Sequence, residues 1–202
     1  MEESKQHWEN IYGQKQPNEV SWTQEVPETS MNFIRGFKLS KTAKIIDIGG
    51  GDSKLVDFLV DGGYENITVL DISERALERA KERLGPKADQ VTWVVSDILD
   101  FVPEAQYDVW HDRAAFHFLT SPEQISTYLN IAAAAVTSNM VIGTFSENGP
   151  LKCSGLPIKQ YSETELQETL AIGFEKIKCI TEDHTTPFGT KQNFLFCSFS
   201  KR

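Results

Sequence analysis

The chain has 202 residues, 40% hydrophobic and 24% charged, with a formal net charge of −9; this balance fits one globular α/β domain with a substantial core. The acidic charge disfavours a nucleic-acid surface, no apolar run approaches the ~20 residues of a membrane span, and Met1-Glu-Glu-Ser-Lys does not read as a signal peptide. Cys153, Cys179 and Cys197 are scattered without C-x-x-C spacing, so reduced thiols and a cytoplasmic location are expected.

Trp8, Ile11 and Tyr12 recur at helical spacing within residues 4–13, a polar loop runs from Gly13 to Glu19, and Ser21-Trp22 follows. Pro27 occupies a helix-start position, and Met31, Phe33 and Ile34 predict a second helix to about Phe37. Residues 1–40 therefore read as a helical flap ahead of a core at 41–202, the two forming one domain.

Ile45-Ile46 is a β-branched run that predicts a buried parallel strand. Asp47, Gly49, Gly50 and Gly51 follow at once, Asp52 and Ser53 offer an N-cap, and Leu55, Val56, Phe58 and Leu59 open a helix. Residues without Cβ let a ligand approach the backbone, beside the free N–H groups of a helix start. A dinucleotide fingerprint requires a further glycine where this chain has Lys54, and Asp52 would repel a pyrophosphate. Carboxylates on both sides of the glycines suit a nucleoside ligand that carries positive charge.

Ile67–Leu70 predicts the second strand, which ends in Asp71, 20 residues after Gly51. An acid at this point can accept from both hydroxyls of a ribose. Ser73 is the better cap for the helix Glu74–Leu84, which frees Asp71. The third strand, Val91–Val95, leads into Ser96-Asp97-Ile98.

The fourth strand, Tyr107–Trp110, delivers His111-Asp112-Arg113 and Phe116-His117-Phe118 to the same carboxyl edge, where open α/β sheets carry their chemistry. His111 is best placed as a general base, and Asp112-Arg113 reads equally as site residues or as an ion pair. His117, inside an aromatic run, reads as a packed histidine. Without H-x-x-x-H or C-x-x-C spacing, no metal site is expected. A helix from Ser121/Pro122 to Val136 precedes a fifth strand, Asn139–Phe145, and a long loop, Ser146–Pro157, which holds Cys153 and reads as a lid or binding loop. A capping box at Ser162–Glu165 starts the last helix, and strands at Phe174–Glu182 and Asn193–Ser200 close the chain, joined through His184.

In order and spacing, Asp47 with Gly49–Gly51, then Asp71, then Ser96-Asp97-Ile98 resemble the cofactor signature of class I S-adenosylmethionine-dependent methyltransferases, a likeness covering residues 40–200. The resemblance implies an α/β, three-layer αβα Rossmann-like fold with a seven-stranded, mostly parallel sheet whose last strand is antiparallel. It implies S-adenosylmethionine as cofactor, with Asp71 on the ribose, Asp97 on the adenine amine, and Ile72 and Ile98 on the ring faces. Trp8-x-x-x-Tyr12 with Val20-Ser21-Trp22 is similar to the flap of thiopurine-methyltransferase-like enzymes, which implies that Tyr12 and Trp22 close over the cofactor. The segment from Asp108 to Ala115 is similar to that family's tryptophan-aspartate-arginine-glycine-alanine run, with His111 in place of tryptophan and Ala114 in place of glycine. The implied partner is a small-molecule methyl acceptor, a thiol or another heteroatom nucleophile, with His111, Asp112 and Arg113 around the transferred methyl. The alternatives are a protein lysine methyltransferase, which shares the core and a Trp-x-x-x-Tyr start, and a non-catalytic cofactor-binding module.

Overall fold

The computed structural model describes residues 2–202. Its centre is a seven-stranded sheet built from β1 (Lys44–Ile48), β2 (Asn66–Asp71), β3 (Val91–Val95), β4 (Tyr107–Arg113), β5 (Val136–Phe145), β8 (Phe174–Thr185) and β9 (Lys191–Lys201). The order is β3-β2-β1-β4-β5-β9-β8, and only β9 runs antiparallel to its neighbours. The chain winds outward from β1 to β3, then restarts at β4 on the other side of β1. That reversal opens a crevice at the carboxyl ends of β1 and β4.

Strand side chains alternate between faces, and each face of this sheet is covered. Ile45, Val69 and Val109 pack under α2 (Glu28–Gly36), α3 (Leu55–Asp61) and α4 (Glu74–Leu84) through Met31, Ile34, Leu59 and Leu77. Ile46, Ile48, Trp110 and Ile142 pack on the opposite face under α5 (Pro122–Ala135) and α6 (Glu163–Leu170) through Tyr128, Ala132 and Leu166. A third cluster joins Phe33 of α2 to Phe145, Phe194 and Phe196.

The first helix, α1 (Glu2–Gln14), is tied to α4 by polar contacts. Glu9 Oε1 accepts from the Glu74 amide at 2.6 Å, placing a carboxylate at a helix N-terminus, and Arg79 Nη2 donates to the Lys15 carbonyl at 2.7 Å. This fixes α1 across the crevice.

Several local expectations change. The loop after β5 contains a two-residue hairpin, β6 (Lys152–Cys153) and β7 (Leu156–Pro157), which buries Cys153. At α6 the cap is one-sided, Ser162 Oγ accepting from the Glu165 amide. The reduced state expected for all three cysteines gives way to a Cys179–Cys197 disulfide, because β8 and β9 place these residues directly opposite each other. Cys153 remains a free thiol. Among the described residues no helix is long and apolar enough to cross a membrane.

Candidate active site

The crevice holds a cavity of about 370 Å³. Its floor is the turn after β1. Gly49 and Gly51 have φ of +62° and +49°, the left-handed region that glycine enters without cost. A Cβ on Gly51 would lie 2.7 Å from Tyr12 Oη and 3.2 Å from Asp71 Oδ2, so this glycine also makes room for side chains from two other elements. Asp47, Gly49, Gly50 and Asp52 line the cavity; Gly51 sits behind Tyr12 and does not. The cap residue of α3 is Lys54, not Asp52 or Ser53, although Ser53 Oγ accepts from the Leu55 amide at 3.1 Å. Asp52 is thereby left facing the site.

Asp71, at the tip of β2, is buried and lines the cavity. Its Oδ1 accepts from the Ser73 amide at 2.8 Å, while Ser73 Oγ caps α4 as expected. Burial raises its pKa to about 7, and the Asp52 and Asp47 charges push the same way. Burial also raises Asp52, against the pull of Arg79 and Arg83. The Oδ2 of Asp52 is buried and makes no hydrogen bond among the described residues, with Arg79 Nη1 3.7 Å away as its ion-pair partner. Ile72, Ser96, Asp97 and Ile98 line the adjoining wall, with Asp97 Oδ1 accepting from the Leu99 amide at 3.0 Å.

Aromatic rings enclose the opening. Trp8 meets Trp22 edge-on at 5.7 Å between centroids and Phe118 at 5.2 Å, and Tyr12 meets Trp22 at 6.3 Å. Four rings from α1, the following loop and the β4–α5 connection thus share one cage. Trp8 and Phe118 were missing from the expected site. The four-residue spacing of Trp8 and Tyr12 places both on one helical face, a signal already in the sequence.

At the end of β4 the expected trio separates. His111 and Arg113 line the cavity, but Asp112 points to the other face, as strand alternation requires. Asp112 Oδ1 accepts from the Ala115 and Phe116 amides at 3.0 Å and Oδ2 from the Tyr128 hydroxyl at 2.8 Å, so it neither pairs with Arg113 nor reaches the site. Its burial raises its pKa to about 6. His111 is fully engaged: Nδ1 lies 2.7 Å from Asp47 Oδ1 and Nε2 lies 2.8 Å from Ser30 Oγ. Ser30, a polar residue on the buried face of α2, escaped the sequence reading. Next to Arg113, Ala114 adopts φ +69°, which explains why a glycine suits this position in the run it resembles.

Cys153 also lines the cavity, its thiol pushed up to about 11 by burial despite Arg113. His117 does not line it; burial and the Arg113 charge push it down to about 3, consistent with a packed, neutral ring. His184 lies outside, its Nε2 2.7 Å from the Ser21 carbonyl. Among the described residues no group of three or more histidines, cysteines and acids is arranged to hold a metal ion.

Residues 45–138, from β1 into β5, match the family profile described as a methyltransferase domain. Over these residues the chain is similar to methyltransferase domains. The mouse (Mus musculus) eEF1A lysine and N-terminal methyltransferase is 29% identical over 61% of this chain, a stretch that is 18% of the mouse protein. Malonyl-[acyl-carrier protein] O-methyltransferase of Anoxybacillus flavithermus is 35% identical over 40% of this chain and 30% of its own length. The chain therefore spans less than a third of either relative. Among solved structures, Burkholderia thailandensis 1,6-didemethyltoxoflavin-N1-methyltransferase, with bound S-adenosylhomocysteine, superposes with a TM-score of 0.70 at 18% identity, over 98% of this chain and 84% of that one. An Anabaena variabilis S-adenosylmethionine-dependent methyltransferase gives 0.76 at 14% identity, over 100% and 94%. These likenesses establish the fold.

The crevice has features that suit the S-adenosylmethionine expected from the sequence. Asp52 presents a carboxylate at the crevice floor, its Oδ2 making no hydrogen bond and lying 3.7 Å from Arg79 Nη1, and Gly49 and Gly50 line the cavity without side chains. Asp71, Asp97, Ile72, Ile98, Tyr12 and Trp22, the residues expected around the cofactor, all line this one cavity.

Proposed function

We propose that this protein methylates a small heteroatom nucleophile, a thiol or similar acceptor, which enters the cavity beneath Trp8, Trp22 and Phe118. The observation that carries this reading is the aromatic cage at one end of a modest cavity, with Arg113 and Cys153 also lining it. When bound, S-adenosylmethionine supplies a methyl carbon already activated by a sulfonium. What remains for the protein is to align the acceptor behind that carbon and to exclude water. The cage does both. The similarity of the segment around Asp112-Arg113 to thiopurine-methyltransferase-like enzymes supports the same acceptor class.

The reading assigns His111 a positioning role rather than that of a base. With both ring nitrogens held by Asp47 and Ser30, it ties β1, β4 and α2 together at the crevice and orients the Asp47 carboxylate. An acceptor that ionises near neutral pH has no need of a protein base, which favours a thiol over an alcohol.

The eEF1A lysine and N-terminal methyltransferase likeness keeps protein methylation as the second reading. Incubation with tritiated S-adenosylmethionine and a size-fractionated lysate separates the two. Label in the low-molecular-weight fraction is expected; label confined to macromolecules would select the second reading.

A further inference from the structure

The cavity is lined by one cation that the protein leaves half-used. Of its three long cationic side chains, Lys54 pairs with Glu25 and Arg83 pairs with Asp57. Arg113 has neither arrangement. Its Nη1 donates to the Trp22 carbonyl at 2.9 Å, and its Cζ lies 4.7 Å from the centre of the Phe194 ring, which fixes the plane of the guanidinium. Its Nε and Nη2 are buried and have no hydrogen-bond partner among the described residues. The nearby Glu182 carboxylate, whose charge favours the protonated guanidinium, takes a hydrogen bond from the Thr29 hydroxyl instead. Nε–H and Nη2–H form the side-on edge of the guanidinium, two parallel donors at the spacing of the two oxygens of a carboxylate. Leaving such donors buried and unused is costly, so their retention calls for a partner.

We propose that Arg113 is the recognition residue for a carboxylate on the methyl acceptor, gripped side-on through Nε and Nη2. This deepens, and rests on, the small-acceptor reading above. The site already carries Asp47, Asp52, Asp71 and Asp97, so a single guanidinium favours a monoanion and a dianionic phosphate is repelled. Position supports the assignment. Arg113 lies at the β4 end, in register with Gly143 of β5, on the side of the crevice away from the ribose-binding Asp71 on β2. Phe118, Trp22 and the Cys153 thiol line the same end, giving the acceptor apolar walls around one charged contact.

The test uses the full chain saturated with S-adenosylhomocysteine and two probes of equal shape, benzoate and benzamide, titrated against tryptophan fluorescence. Benzoate is expected to bind at least about tenfold tighter than benzamide, the discrimination of a bidentate charge-assisted pair. In Arg113→Gln the preference should vanish while S-adenosylhomocysteine affinity stays within about twofold; Arg113→Lys, charged but without the fork, should fall between. Equal binding of the two probes by the wild-type protein overturns the proposal, whatever the variants do. So does an undiminished benzoate preference in a folded Arg113→Gln. Should S-adenosylhomocysteine itself not bind, the methyltransferase reading fails separately, and the same two probes titrated against the protein alone still decide the role of Arg113.

Discussion

Asp47 and His111 face each other across paired strands, Oδ1 to Nδ1 at 2.7 Å, with Ser30 Oγ closing the other ring nitrogen at 2.8 Å. All three residues are buried. The imidazole is a structural link between the glycine-bearing strand β1 and β4.

His111→Asn should therefore act on stability before chemistry. Leaving the Asp47 carboxylate without its donor is expected to cost about 1–3 kcal/mol, read from chemical denaturation. The acid limb of the pH–rate profile should keep its midpoint on a low-pKa thiol acceptor. A variant of full stability whose acid limb disappears, with turnover down ~10²-fold or more, would restore the base role.

The ribose contact expected of Asp71 predicts a pH-dependent cofactor affinity. Its carboxyl is held at about 7 chiefly by burial, and ribose hydroxyls donate to the ionised form. Affinity for S-adenosylhomocysteine should rise as pH climbs through about 7, and fall below it by up to about tenfold per pH unit. In the ligand-free protein the sign reverses. A folded pKa above the unfolded value of ~3.9 means that stability from this group is lost as pH rises through about 7. Asp71→Ala should weaken binding by roughly 2–4 kcal/mol and flatten the pH dependence, while Ser73 continues to cap α4. Calorimetry at several pH values measures all of this; an unchanged slope in the variant would show that another group titrates.

Two residues of positive φ should respond in opposite directions. Gly51→Ala adds left-handed strain of about 1–2 kcal/mol and a Cβ 2.7 Å from Tyr12 Oη, so both melting temperature and cofactor affinity should drop. Ala114→Gly relieves the strain at φ +69° and should leave stability within about 1 kcal/mol of the parent, or improve it. A Gly51→Ala protein as stable and as tight-binding as the parent would mean that the turn is looser than described.

Thiol titration checks the cross-strand link. The denatured, unreduced protein should show one free thiol, that of Cys153, against three after reduction. Three thiols before reduction would show that Cys179 and Cys197 remain apart.

The order of elements, the glycine turn, Asp71 at the tip of β2 and Ser73 as its neighbouring cap were all legible in the sequence, because each depends on local chemistry: periodicity, missing Cβ atoms and capping oxygens. Even the separation of Asp112 from His111 and Arg113 lay within reach, since the period of two applies as soon as the strand is extended through Arg113. The pairing of Cys179 with Cys197 required the register of β8 on β9, which no local pattern specifies. The fates of His111 and Arg113 required more. Their partners Ser30 and Trp22 stand 81 and 91 residues away in the chain, on elements brought over the crevice only when α2 and the aromatic loop pack against the sheet. Local sequence chemistry fixed which groups stand at the carboxyl edge, and long-range packing decided which of them remain free to meet a ligand.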